Sequence, residues 1–143
     1  MEPALIISYA DLAEGMTRER DYVITPAVYE NFLRAFDDRS PIHVDEAHAR
    51  AKGFAGRVMH GGILGGFVSH FVGMVFPGGH SLLLSADFRF SQPSYLGDTV
   101  RVQAKVAQLF DSRQVVVLHF TILNQTRGVA VATVRAQVKV LSP

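Results

Sequence analysis

Apolar and polar positions follow two rhythms along the chain, and the change comes near Pro77-Gly78-Gly79. Before that point the spacing is mostly helical. Val28, Phe32, Leu33 and Phe36 fall on one helical face behind a Thr25-Pro26 pair. That pair suits a helix start, since threonine caps free amides and proline is tolerated at the first helical position. Pro41 disfavours helical geometry at Ser40, so this helix is expected to stop near Asp37. Val44 to Lys52 suits a second short helix, with Asp45 as its cap and Gly53 as its end. Val58 to Phe76 is apolar nearly all round and reads as one long helix covered on most sides. Glycines at 61, 62, 65, 66 and 73 lie within it, each costing about 1 kcal/mol of helix propensity against alanine. Close approach of a sheet or another helix would offset that cost. Upstream, Ala4 to Gly15 reads as an irregular lead-in and Met16 to Ile24 as a first strand.

After the change the alternation is period two. Leu82, Leu84, Ala86, Phe88 and Phe90 share one face, and so do Val100, Val102, Ala104 and Val106. Ala130, Ala132, Val134, Ala136, Val138 and Val140 form a third inward row. Val115 to Ile122 is almost continuously apolar, as in a strand buried on both faces. Short turns at 96–98, 111–113 and 124–128 suit a meander. The expected fold is therefore α+β, an antiparallel sheet wrapped around a long central helix. One sheet layer leaves part of that helix and two strand edges uncovered. A homodimer or higher homo-oligomer, joined sheet edge to sheet edge or helix to helix, is expected.

Length and composition narrow the function classes. With 143 residues, 48% hydrophobic and 19% charged, the chain reads as one globular domain over residues 1–143. A net charge of +1, with scattered basic residues, argues against nucleic acid and against an anionic membrane. The absence of cysteine excludes disulfides, thiolate nucleophiles and Cys-type zinc sites. The N-terminus has no basic, signal-like pattern. The apolar run from Gly61 to Phe76 is shorter than the roughly 18–20 residues a span needs, so no membrane segment and a cytoplasmic location are expected.

Chemistry concentrates in Asp37-Asp38-Arg39-Ser40-Pro41-Ile42-His43 and in His60-Gly61-Gly62. Asp38 and His43 lie across a loop stiffened by Pro41, where a carboxylate and an imidazole can share one water as base and acid. Burial beside an apolar helix would raise the aspartate's pKa. The amides of Gly61 and Gly62, at the start of the long helix, have no partners within it and carry the positive end of its dipole. They suit a carbonyl oxygen that gains negative charge. Asp37 reads first as a turn or cap residue, Asp38 taken alone is equally readable as one, and His43 taken alone reads more readily as a structural hydrogen-bonder. His43, His48 and His60 offer a metal alternative, but His43 and His48 share no helical face and no metal is expected. His70 reads as a core or interface histidine, and His80 and His119 as structural or surface residues.

The segment Asp38-Arg39-Ser40-Pro41-Ile42-His43-Val44-Asp45, followed by His60-Gly61-Gly62-Ile63-Leu64, resembles the MaoC-like family of (R)-specific enoyl-CoA hydratases and related dehydratases. Phe90-Ser91-Gln92-Pro93 and Gly97-Asp98 extend the likeness, which covers nearly the whole chain. The resemblance implies a hot-dog fold, a homodimer, and interconversion of trans-2-enoyl and (R)-3-hydroxyacyl thioesters. It implies Asp38 and His43 as catalytic residues, Gly61 as an oxyanion donor and Ser69 as a further serine near the site, with Gly62 and Ser40 beside them as oxyanion or substrate-binding positions. It requires no separate cofactor, because coenzyme A or acyl-carrier phosphopantetheine arrives as part of the substrate. The family usually has glycine before the aspartate and asparagine before the proline, where this chain has Asp37 and Ser40. Asp37 would add a like charge that raises a neighbouring pKa, and Ser40 would lose a hydrogen bond that holds the loop. A non-catalytic acyl-thioester binder or interaction protein, and a hot-dog thioesterase, remain as alternatives. Tunnel-lining residues among Phe67, Phe71, Val72 and Met74, and a carrier site among Arg50, Lys52 and Arg57, are open at this level.

Overall fold

The structure, a computed structural model, describes residues 1–142. Strand β1 (Thr17–Val23) is followed by helices α1 (Pro26–Phe36), α2 (Pro41–Val44), α3 (Glu46–Ala51) and α4 (Gly61–His70). A wide π turn, Phe71–Val75, continues α4, and then β2 (Ser81–Phe90), β3 (Thr99–Phe110), β4 (Val115–Asn124) and β5 (Val129–Val140) complete the sheet. All pairings are antiparallel and the order is β1-β3-β4-β5-β2. The four helices thus lie on the connection from one edge of the sheet to the other.

The alternating strands bury the rows the pattern predicts. Val100, Val102, Ala104 and Val106 of β3, and Val134, Ala136 and Val138 of β5, are all buried against Phe67, Val68 and Phe71 of the central helix. In β4, Val115 to Leu118 are buried without interruption, and exposure returns only at His119. The α+β expectation of a sheet wrapped around a central helix is what the chain adopts.

Four expectations need correction. Val58, Met59 and His60 are not helical: Val58 N–H donates to Ile42 O at 2.8 Å and Met59 N–H to Ser94 O at 2.9 Å. Those backbone groups are taken by neighbouring segments, so α4 starts at Gly61. Pro41–Val44 is a helical turn rather than plain loop, because proline at its first position presets the backbone. Ala130 is exposed while Val131 and Ala132 are both buried, since the β4–β5 register shifts between Ile122 and Leu123 and breaks the alternation. In β2, Leu82, Leu84 and Phe90 are 51%, 50% and 55% exposed, because this edge strand is covered by β5 on one side only. Of the five helix glycines, only three meet a neighbour: Gly61 faces Phe90, Gly62 faces Phe32 and Gly65 faces Phe88.

Candidate active site

Helix α1 opens as its sequence requires, with Thr25 Oγ1 accepting from Val28 N–H at 3.1 Å. It closes at Asp37, whose left-handed backbone (φ 53°) lets its N–H reach Leu33 O at 2.8 Å and turns the chain sharply. Asp38 follows. Its Oδ1 accepts from Ser40 N–H at 3.1 Å and from Ser40 Oγ–H at 2.8 Å, which leaves Oδ2 free. Ser40 therefore holds the loop through two bonds rather than loosening it. The same bonds keep the Asp38 carboxyl below the usual carboxylate value, reinforced by His43 and His60 and opposed by loss of water. The expected upward shift is reversed because Asp38 sits at the rim, with its side chain 48% exposed, and hydrogen bonding to the charged form outweighs burial. Asp37 turns to Arg39, 2.6 Å away, so its charge is paired.

Helix α2 carries His43 into place. Tyr29 OH donates to its carbonyl at 2.6 Å, and its Nδ1 lies 2.6 Å from Val58 O. A carbonyl only accepts, so Nδ1 bears the hydrogen and Nε2 presents a lone pair. Nε2 lies 3.8 Å from Asp38 Oδ2. That gap is too long for a direct hydrogen bond and suits one bridging water at about 2.8 Å from each atom.

His43 also lines a cleft of about 430 Å³, and Asp38 lies beside it rather than in its lining. His43, His60, Gly61 and Leu64 line it from the helical side, Ile24, Phe54, Val58 and Met59 from the connecting segments, and Phe90 to Ser94 from the end of β2. Gly61 stands at the first position of α4, where its N–H has no acceptor within the helix. Phe67, Phe71 and Val72 are buried core, and neither they nor Met74 lines this cleft.

The remaining sequence candidates separate. Gly62 and Ser69 do not line the cleft and lie on the exposed side of α4 with Gly66, and Ser40 does not line it either, its N–H and hydroxyl being spent on Asp38 Oδ1. The bare surface of Gly62 instead admits the Phe32 ring, whose edge lies 2.6 Å from where a Cβ would stand. His70 is exposed, with Nδ1 2.9 Å from Tyr22 OH, because the sheet covers α4 from one side only. It is not a core residue. His119 is exposed and His80 half-buried, on β4 and in the turn before β2. Arg50 and Arg57 both pair with Glu46, at 3.1 and 3.6 Å.

His60 is the site residue that sequence reasoning undervalued. It is 3% exposed, its ring stacks on His43 with centroids 4.0 Å apart, and its Nε2 lies 2.8 Å from Asp38 O. The available signal was a histidine immediately before helix-opening glycines within an apolar run, which must find a partner once buried. The metal set suggested by His43, His48 and His60 does not form. The set within reach is Asp38, His43 and His60, with ligand atoms within 4.8 Å of one another. With His43 Nδ1 and His60 Nε2 on carbonyls, one nitrogen from each ring would remain to hold an ion.

Comparisons with known proteins place the fold and the family. An (R)-specific enoyl-CoA hydratase of Rhodospirillum rubrum is 29% identical over 118 residues, 82% of each chain. An (R)-specific enoyl-CoA hydratase of Aeromonas caviae is 30% identical over 100 residues, 70% of this chain and 75% of that one. Among solved structures, the unliganded R-hydratase PhaJ1 of Pseudomonas aeruginosa superposes with a TM-score of 0.88 at 28% identity, covering 98% of this chain and 89% of that one. The fold is thus the hot-dog fold of these hydratases. The family model described as MaoC like domain matches residues 10–126, and the chain belongs to that family.

Proposed function

We propose that this chain is an (R)-specific hydratase or dehydratase of acyl thioesters, interconverting a trans-2-enoyl thioester plus water with the (R)-3-hydroxyacyl thioester. The observation that carries this reading is the pair Asp38 Oδ2 and His43 Nε2, 3.8 Å apart, beside an apolar cleft that ends on the free amide of Gly61. In the hydration direction the pair orients one water, and His43 Nε2 takes its proton as the hydroxyl oxygen bonds to C3. The C2=C3 electrons move toward the thioester carbonyl, and Gly61 N–H, at the positive end of the α4 dipole, meets the oxygen that gains charge. The proton returns to C2 from the same side, so addition is syn. Asp38, ionised because Ser40 donates to it, accepts from the water and holds it in line. Coenzyme A or a phosphopantetheine carrier belongs to the substrate, and no other cofactor takes part. Such water-borne thioesters fit a cytoplasmic location, and no helix among the described residues is long and apolar enough to cross a membrane.

The test is absorbance loss at the conjugated enoyl thioester across a panel of chain lengths, with chiral analysis of the product. Asp38→Asn and His43→Ala should each abolish hydration while the protein stays folded. Unimpaired turnover in either variant removes the mechanism. Thiol release without loss of the enoyl chromophore would make the protein a thioesterase, and saturable binding without turnover a binder.

The homodimer belongs to the same reading. Its support is the uncovered β2 edge with half-exposed Leu82, Leu84 and Phe90. A second copy paired along β2 would also roof the cleft, which Phe90 lines. Sedimentation should find a dimer that Leu84→Asp dissociates, and a monomeric wild type would refute it.

A further inference from the structure

We propose that His60 is a positioning residue for this reaction: it locks the Asp38 backbone and the plane of the His43 ring at once, and leaves the Gly61 amide free for substrate. The inference rests on the hydratase reading for the chemistry that it serves, but its geometry stands independently.

His60 occupies the position just before α4, where a short polar side chain ordinarily folds back onto the first amides of the helix. Its side chain makes no such bond. The ring turns away, and Nε2 donates to Asp38 O at 2.8 Å. Serine or aspartate here would take an amide hydrogen one or two residues beyond Gly61 and set an acceptor beside the donor on which the oxyanion depends. The one acceptor of the His60 ring, Nδ1, makes no bond to the helix start, so Gly61 N–H stays open.

The ring also sets two other groups. Asp38 is held from two directions, by Ser40 at its carboxylate and by His60 at its carbonyl. His43 is likewise held twice, by Val58 O at Nδ1 and by the flat face of His60 at 4.0 Å. Rotation of the His43 ring about its Cβ–Cγ bond, which would swing Nε2 away from Asp38 Oδ2, is blocked by that face. Tyr29 and Phe32 complete an aromatic cage around His60, with centroids at 5.9 and 4.8 Å. The bond to Asp38 O selects the Nε2–H tautomer, so Nδ1 is left as a buried lone pair with no donor. Leaving a buried polar atom unpaired costs stability, a cost that core packing alone would not retain. A phenylalanine would fill the cage without it. The histidine is there for the bond and the stack together.

Two near-isosteric variants separate these roles. His60→Phe keeps the stack and loses the donor, whereas His60→Gln keeps a donor and loses the flat face. In the wild type, His43 Nδ1–H, held 2.6 Å from Val58 O, should give a slowly exchanging downfield proton resonance. The resonance should persist in His60→Phe and broaden away in His60→Gln. Both variants should lower kcat by about tenfold to a hundredfold with KM within about threefold, the effect of misplaced reacting groups. Wild-type kcat in both, with only a lower melting temperature, overturns the proposal. If the wild type turns over no enoyl thioester but the resonance still separates the variants, the hydratase reading fails and the positioning role stands. If the wild type is active and the resonance is unchanged in both, the positioning role fails.

Discussion

Replacing Asp98 by alanine should be among the most damaging single changes in the molecule, although Asp98 lies outside the catalytic pair. Its side chain is 3% exposed, and Oδ2 accepts from Tyr95 N–H at 2.9 Å, Asn124 Nδ2 at 2.7 Å and Arg127 Nε at 2.9 Å. These bonds tie the turn before β3 to the β4–β5 hairpin. Truncation leaves the Asn124 donor buried and unpaired, at about 1–3 kcal/mol, and removes the Tyr95 bond, at about 1 kcal/mol. Arg127 is 38% exposed, so its ion pair is screened and adds at most about 1 kcal/mol. The sum is on the order of 3 kcal/mol. Asp98→Asn retains an oxygen acceptor and should lose about 1 kcal/mol. With a urea slope near 2 kcal/mol/M, the alanine variant should unfold at a midpoint lower by about 1.5 M, measured at fixed protein concentration. A midpoint within a few tenths molar of the wild type would refute the reasoning. The same turn clamps Ile24 through paired backbone bonds of 2.8 and 2.9 Å, and Ser94 O anchors Met59 at 2.9 Å. Ile24, Met59 and Ser94 all line the cleft, so the variant should also bind substrate less tightly while folded.

Two further predictions follow from geometry. Ser40→Ala removes the hydroxyl bond to Asp38 Oδ1, so the depressed carboxyl should move up toward its ordinary value; the stabilising carboxylate form, kept until pH falls through the folded value, is then lost at a higher pH. A carbon-13 titration of the Asp38 carboxyl measures this, and coincident curves for the two proteins would contradict it. Gly78→Ala should detach the N-terminal lead-in, because a Cβ there would stand 1.7 Å from Leu5 O at a φ of +97°. Faster hydrogen exchange at the amides of Leu5 and Ile7, which bond to Met74 O and Pro77 O, with a loss of about 2 kcal/mol, is the expected readout, and unchanged exchange there would count against it.

The positions of Asp38, His43 and Gly61 in the chain already pointed to an acid–base pair beside a helix start. What they left unreadable was the direction of Asp38's titration. Ser40 is two residues away in sequence, yet whether its hydroxyl meets Asp38 Oδ1 or solvent depends on the left-handed turn at Asp37. His60 was visible as a residue but not as a partner, since Asp38 and His43 lie far before it in the chain. Gly62 illustrates the converse: its small size was legible, but the reason, Phe32 of α1 packing onto it, was not.

Local pattern alone determined the alternation of β3 and of β5 beyond Ala132, the continuous apolar run that opens β4, the threonine and aspartate caps of α1 and α3, and the apolar character of α4, because each depends on residues within a few positions of one another. Only the tertiary structure decided that Val58 to His60 are extended, that β2 is an edge, and that His60 joins Asp38 to His43. Those facts arise from hydrogen bonds and ring contacts between segments distant in sequence, and such pairings are set by how the helices lie across the sheet rather than by any period in the chain.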